Sequence, residues 1–138
     1  TISGGPSVLA ADAADRFGLV LPSLGEATLA KLRELVPSFA ALGNPIDLTP
    51  QCSVDNFIAA IEAVYADDSV EGVVAINCGL DFPQFGTGVA HGVAATGKPT
   101  TAFVLDAPGV ESEIAAAGVL RFSSSERAVA ALAKGLSK

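Results

Sequence analysis

The sequence contains no methionine and no tryptophan, and only one tyrosine, one histidine and two cysteines. Each scarcity removes a class of chemistry. A lone histidine and two distant cysteines, Cys52 and Cys78, make no zinc-ligand pattern. The cysteines form no CxxC pair and read as reduced thiols of a cytoplasmic protein. The aromatics that often stack on a flavin are scarce, which weakens a flavin-binding reading. Positive charge is short as well: 8 Lys and Arg face 15 Asp and Glu, for a net charge of −7. Nucleic-acid binding needs clustered Lys and Arg, so the balance argues against that partner. It leaves open an anion held by backbone amides, which carry no formal charge. Half of the residues are hydrophobic, yet no apolar run approaches the roughly 20 residues of a membrane span. No secretory signal pattern is visible.

What is present is an alternation. Residues 6–17 carry Val8, Leu9, Ala13 and Phe17 at helical spacing, with Gly18 as a stop. Residues 19–24 are a short apolar run containing Pro22, expected as a strand near a sheet edge or as one that ends at the proline. Residues 26–36 space Leu29, Leu32, Leu35 and Val36 as an amphipathic helix. Residues 37–51 are irregular, with Gly43, Pro45 and Pro50 interrupting any long element. Residues 53–66 predict a helix capped by Ser53, with Phe57, Ile58, Ile61 and Val64 as its buried stripe. Residues 70–77 and 100–105 read as strands buried on both faces. Between them, residues 82–96 are at best weakly helical because Gly86, Gly88 and Gly92 intervene. Residues 109–117 predict a short helix and 119–122 a short strand. A capping box from Ser123 to Glu126 opens a last helix, with Ala128, Val129, Leu132 and Leu136 on one face.

Strands alternating with helices imply a single doubly wound α/β domain, its parallel sheet covered by helices on both faces and joined by right-handed crossovers. Such folds start on a central strand that leads into the first turn. Here only Thr1, Ile2 and Ser3 precede the glycines, so the first strand is expected to be truncated and residues 1–138 to be cut from a longer chain.

Two stretches carry candidate chemistry. In Ser3-Gly4-Gly5-Pro6-Ser7, the glycines free the backbone and Pro6 suits the first helical position. The unpaired amides of a helix start, with the positive end of its dipole, suit an anion. The stretch satisfies no nucleotide fingerprint, so an anion site and a plain strand-to-helix corner both stand. The second stretch, residues 43–49, offers Asn44, Pro45, Asp47 and Thr49; it reads as a self-bonded turn or as a site loop at the sheet's carboxyl edge. Asp81 and Asp106 each follow a predicted strand, where capping or solvation is the first reading. His91 has no recognisable acid or serine partner and reads as incidental. No catalytic residue and no metal ligand is assigned.

Taken together, SGGPSVLAADAADRFGL, NPIDLT and the tail AGVLRFSSSERAVAALAKGL resemble the C-terminal CoA-ligase domain of NDP-forming acyl-CoA synthetases, across nearly the whole chain. This superfamily includes succinyl-CoA synthetase and related protein acetyltransferases. The matched positions are Ser3 to Pro6, Val8 to Asp12, Asn44, Pro45, Asp47 and Thr49. The resemblance implies a flavodoxin-like fold and a share in the reaction acyl-CoA + NDP + phosphate ⇌ acid + CoA + NTP, which passes through an acyl phosphate and a phosphohistidine. It implies that amides around Ser3, Gly4, Gly5, Pro6, Ser7 and Val8 face phosphate or the phosphohistidine loop of another domain. It implies CoA-binding and ATP-grasp domains as partners, and CoA, ATP or ADP, phosphate and magnesium as the parent's reactants. No cofactor is expected to bind this domain tightly, and the domain alone is expected to be inactive. A homodimer is open, since an excised domain exposes former interfaces. Ser7 stands where the family usually has glycine and Ile2 where it often has asparagine, and His91 lacks the phosphohistidine context. A stand-alone flavodoxin-like binding or regulatory module is the alternative.

Overall fold

The computed structural model describes residues 1–137. The elements run α1 (Gly4–Arg16), α2 (Glu26–Leu35), α3 (Val54–Ala66), β1 (Val73–Cys78), α4 (Pro83–Thr96), β2 (Thr100–Leu105), α5 (Pro108–Ala116), β3 (Leu120–Phe122) and α6 (Ser125–Leu136). The strands form one parallel sheet in the order β1-β2-β3, with Val73 opposite Thr100 and Thr101 opposite Leu120. Alternation along the strands sends side chains to two cores. On one face Val74, Ile76 and Phe103 meet Ala10, Ala13 and Ala14 of α1 and Val129 of α6. On the other, Ala75, Ala102 and Val104 join a larger core with Phe57, Phe85, Val110 and Ile114 from α3, α4 and α5. Each fully buried side chain of that size is worth about 1.5–3 kcal/mol relative to exposure. The predicted class, an α/β flavodoxin-like sheet with helices on both faces, is the class observed.

Thr1, Ile2 and Ser3 extend the sheet without forming a regular strand. The Thr1 amino nitrogen donates to Ile46 O at 2.9 Å, and Leu48 N–H donates to Thr1 O at 2.9 Å. This is the bond pattern of a parallel pair. On the other side Ile2 N–H donates to Ile76 O at 3.4 Å. Across the sheet the order is therefore residues 46–48, residues 1–3, β1, β2, β3. That is the flavodoxin order 2-1-3-4-5.

Several local expectations are corrected. Residues 19–24 are not a strand; the run connects α1 to α2 with Val20 85% exposed and Leu24 buried in the core. β1 starts at Val73 rather than at residue 70, and Val70 is buried outside it. Residues 83–96 form a full helix despite their glycines, because those glycines are packing surfaces. A Cβ at Gly86 would lie 2.9 Å from Val110 O, and one at Gly88 would press on Ile61. At Gly92 it would run into the Tyr65 ring. The cap of α6 is Ser124, whose Oγ accepts the Arg127 N–H at 3.1 Å; the Ser123–Glu126 box does not form. The buried face of α1 is Ser7, Ala10, Ala13 and Ala14, while Val8, Leu9 and Phe17 are exposed. Small residues let α1 lie close to the sheet and to α6.

Candidate functional site

The parallel sheet gathers Ser3, Asp47–Thr49, Cys78–Gly79 and Leu105–Asp106 at its carboxyl edge. The chain order reverses between residues 1–3 and β1. Ligands of open α/β sheets bind in the crevice outside such a reversal.

Helix α1 begins there, at Gly4, with Ser3 as its extended N-cap residue. Pro6 is thus the third helical residue, not the first. The Ser3 hydroxyl does not cap the helix; it accepts the Cys78 N–H at 2.9 Å and ties the turn to the end of β1. The Ser7 N–H donates to Ser3 O at 3.3 Å, and Pro6 has no N–H. The Ser7 side chain is 4% exposed and its Oγ donates to Gly4 O at 2.7 Å. It points inward and neither adds a donor to the crevice nor crowds it. Pro6 O accepts from Ser125 Oγ at 2.8 Å, anchoring the turn to α6. Among the described residues, the Gly4 and Gly5 amides have no partner. A Cβ at Gly5 would meet no heavy atom within 4 Å.

The second stretch is brought against the first. Asp47 N–H donates to Ala41 O at 2.9 Å, and Asp47 Oδ1 accepts the Thr49 N–H at 2.9 Å. Its other oxygen lies 3.6 Å from where a Gly4 Cβ would be. A carboxylate beside a helix N-terminus is favoured by the dipole. Asp47 flanks the Gly4 side and leaves the Gly5 side open. Thr49 holds φ at 66°, a left-handed conformation costly for a β-branched residue, and its Oγ1 accepts the Gln51 N–H at 3.3 Å. Asn44 is directed elsewhere, its Nδ2 donating to Pro22 O at 3.3 Å. The peptide bond from Asn44 to Pro45 is cis.

The remaining acids and the histidine fall into structural places. Asp81 Oδ1 accepts the N–H groups of Gly109 at 2.8 Å and Val110 at 3.2 Å, so it caps α5. Asp106 is exposed with φ at 53°. Burial, and then the charge of Asp106, push the Cys78 thiol up, which disfavours a thiolate. Cys52 and Cys78 are free thiols. His91 sits on exposed α4 surface, over two turns beyond the helix start, and its Nδ1 pairs with Glu62 Oε1 at 2.9 Å. No group of three His, Cys, Asp or Glu among the described residues is placed to hold a metal ion. One residue escaped the sequence reading: Asn77 is wholly buried on β1, and both of its amide atoms lack a partner. Its signal was a single polar residue ending the apolar run VVAIN.

The fold and crevice define a flavodoxin-like α/β domain with an open helix start at its switch point. No family model matches the chain. Over 76 residues it is 37% identical to the ADP-forming acetate–CoA ligase I of Archaeoglobus fulgidus, covering 55% of this chain and 11% of that protein. It is 36% identical over 76 residues to the alpha subunit of the ADP-forming acetate–CoA ligase II of Pyrococcus furiosus, covering 17% of that protein. The chain therefore spans a small part of the curated relatives it matches. A solved Pyrococcus horikoshii OT3 protein superposes with a TM-score of 0.83 at 27% identity, over 98% of this chain and 33% of that one. A dinucleotide-forming acetyl-coenzyme A synthetase 1 of Ca. Korarchaeum cryptofilum, solved with phosphate and ADP, gives 0.80 over 96% of this chain and 30% of that one. At 23% identity it speaks for the fold alone. The sequence likeness to ADP-forming acetate–CoA ligases thus covers 55% of the chain, and the likeness in fold nearly all of it. No helix is long and apolar enough to cross a membrane among the described residues.

Proposed function

We propose that this chain is one domain, residues 1–138, of a longer NDP-forming acid–CoA ligase, and that the start of α1 receives phosphate or the phosphohistidine loop of another domain. The observation behind this reading is the pair of unpartnered Gly4 and Gly5 amides beside the Asp47 loop, at the switch point of the sheet. Phosphate fits these residues: two donors converge, no side chain blocks Gly5, and the helix dipole favours negative charge there. When bound, phosphate would supply the phosphoryl group that passes from the acyl phosphate to histidine and then to the nucleotide. The chain's own residues hold and orient it. Gly4 and Gly5 donate, Ser3 fixes the turn to β1, and Asp47 and Thr49 set the wall of the crevice. In this reading the nucleophile and general base belong to the CoA-binding and ATP-grasp domains of the parent enzyme, which turnover requires. CoA, ADP or ATP and magnesium belong to that assembly, and dimerisation is a further property to be tested in it.

The test is Gly5→Asp in the assembled enzyme. The open space at Gly5 admits the side chain, so the change is chiefly one of charge. A carboxylate there should abolish histidine phosphorylation, while Gly5→Ala retains it. Full phosphorylation by Gly5→Asp contradicts the assignment.

A further inference from the structure

The ladder of backbone bonds breaks on both sides of β1 at its carboxyl end, and Asn77 stands between the two breaks. On the β2 side, Gly79 N–H donates to Leu105 O at 2.7 Å. The next rung of a parallel ladder would run from Ala107 N–H to Gly79 O. Asp106 turns the chain at φ 53° and that rung is not made; the Ala107 N–H has no partner among the described residues. On the other side, Ile2 N–H donates to Ile76 O at 3.4 Å, which sets Ile2 opposite Asn77. The matching rung would run from Cys78 N–H to Ile2 O. Cys78 N–H bonds Ser3 Oγ at 2.9 Å instead, so Ile2 O has no partner among the described residues either. Asn77 pairs in register with Val104 across the sheet, and its own Oδ1 and Nδ2 are unpartnered. All three residues are closed to bulk solvent: Ile2 is 2% exposed, Asn77 0% and Ala107 0%.

We propose that Asn77 anchors an internal hydration site, with one water for each broken rung. On one side the Ala107 N–H donates to a water that donates to Asn77 Oδ1. On the other, Asn77 Nδ2 donates to a water that donates to Ile2 O. The chemistry of the groups selects water. A primary amide carries both donors and an acceptor, and each break adds one group of the complementary kind. An anion would need donors alone and a cation acceptors alone, and none of these groups is charged. Water is the smallest molecule that both donates and accepts, as a wholly buried place requires. Leaving such groups unmet costs about 1–3 kcal/mol each, which internal water removes. Two such waters are ordinary for a chain of this length, at roughly one per 27 residues. The site has a structural consequence at the carboxyl edge. Ile2 stands just before the Ser3-Gly4 turn, and Ala107 is the N-cap residue of α5. The bridged amide thus ties the approaches to both helices to the end of β1.

The experiment reads contacts to water in the isotope-labelled chain. The Asn77 Nδ2 protons and the Ala107 N–H should each give a rotating-frame cross-peak to water, of the sign that dipolar contact produces and chemical exchange does not. Silence at either group overturns the proposal. Asn77→Leu supplies a second reading of opposite sign for the two cases. With bridging water, the variant strands the Ala107 N–H and Ile2 O, so the Ala107 cross-peak disappears and the unfolding midpoint falls. With a merely unmet amide, an apolar side chain of similar size relieves the site and the midpoint rises, which overturns the proposal. The wild-type spectra decide the matter even where the variant fails to fold. The readout needs no phosphate and no second domain, so it stands or falls apart from the ligase reading.

Discussion

Glycines do opposite things in α1 and α4. In α4 they are where the helix touches its neighbours: Gly86 lies under the Val110 carbonyl, Gly88 against Ile61 and Gly92 under the Tyr65 ring. At Gly86 and Gly92 no larger residue fits without a shift of its neighbours, and at Gly88 the Ile61 side chain would have to give. In α1, Gly5 faces nothing within 4 Å, and neither Gly4 nor Gly5 has positive φ. Nothing in the fold requires a glycine there. A second contrast runs parallel to this one. The start of α5 is satisfied by Asp81 and that of α6 by Ser124, and Asp67 accepts the Gly25 N–H at 2.9 Å ahead of α2. The start of α1 has no such side chain, and neither do those of α3, where Ser53 makes no side-chain cap bond, and α4. At the α4 glycines the space is filled, whereas at Gly5 of α1 space and an unpartnered amide are left.

Alanine substitutions sharpen or break this contrast. The largest effect belongs to Gly92→Ala, which forces a methyl into the buried Tyr65 ring and should cost about 3 kcal/mol in denaturant unfolding. Gly86→Ala meets a backbone carbonyl and should cost about 1–3 kcal/mol, offset in part by its better helix propensity. Asp81→Ala uncaps α5 and should cost about 1 kcal/mol. Gly5→Ala should be neutral or stabilise by about 0.5 kcal/mol, since open space leaves only the entropy of the unfolded chain. Comparable losses at Gly5 and Gly92 would erase the contrast.

The alternation of elements and the doubly wound class were legible because hydrophobic period and turn residues agree at most places. The failures have particular causes. Helix propensity counts glycine as a breaker, and in α4 close packing against α3 and α5 overrides it. The apolar run at residues 19–24 has strand composition but pairs with no strand, and its Leu24 packs into the core instead. The face of α1 was misassigned because its larger residues, Val8 and Leu9, point outward and its alanines pack inward. At the site, both candidate stretches were legible from their residues, but not their contact: the approach of Asp47 to Gly4 arises only when residues 46–48 pair with Thr1. The inward turn of Ser7 and the orphaned amide of Asn77 also depend on packing, which no local pattern encodes.

The most direct test of the open α1 start is a phosphate titration of the isotope-labelled chain, read at two helix starts together. The Gly4 and Gly5 amide resonances should move saturably, while Gly109 and Val110, already bonded to Asp81, stay fixed. Motionless Gly4 and Gly5 signals, or equal shifts at both helix starts, would contradict the account.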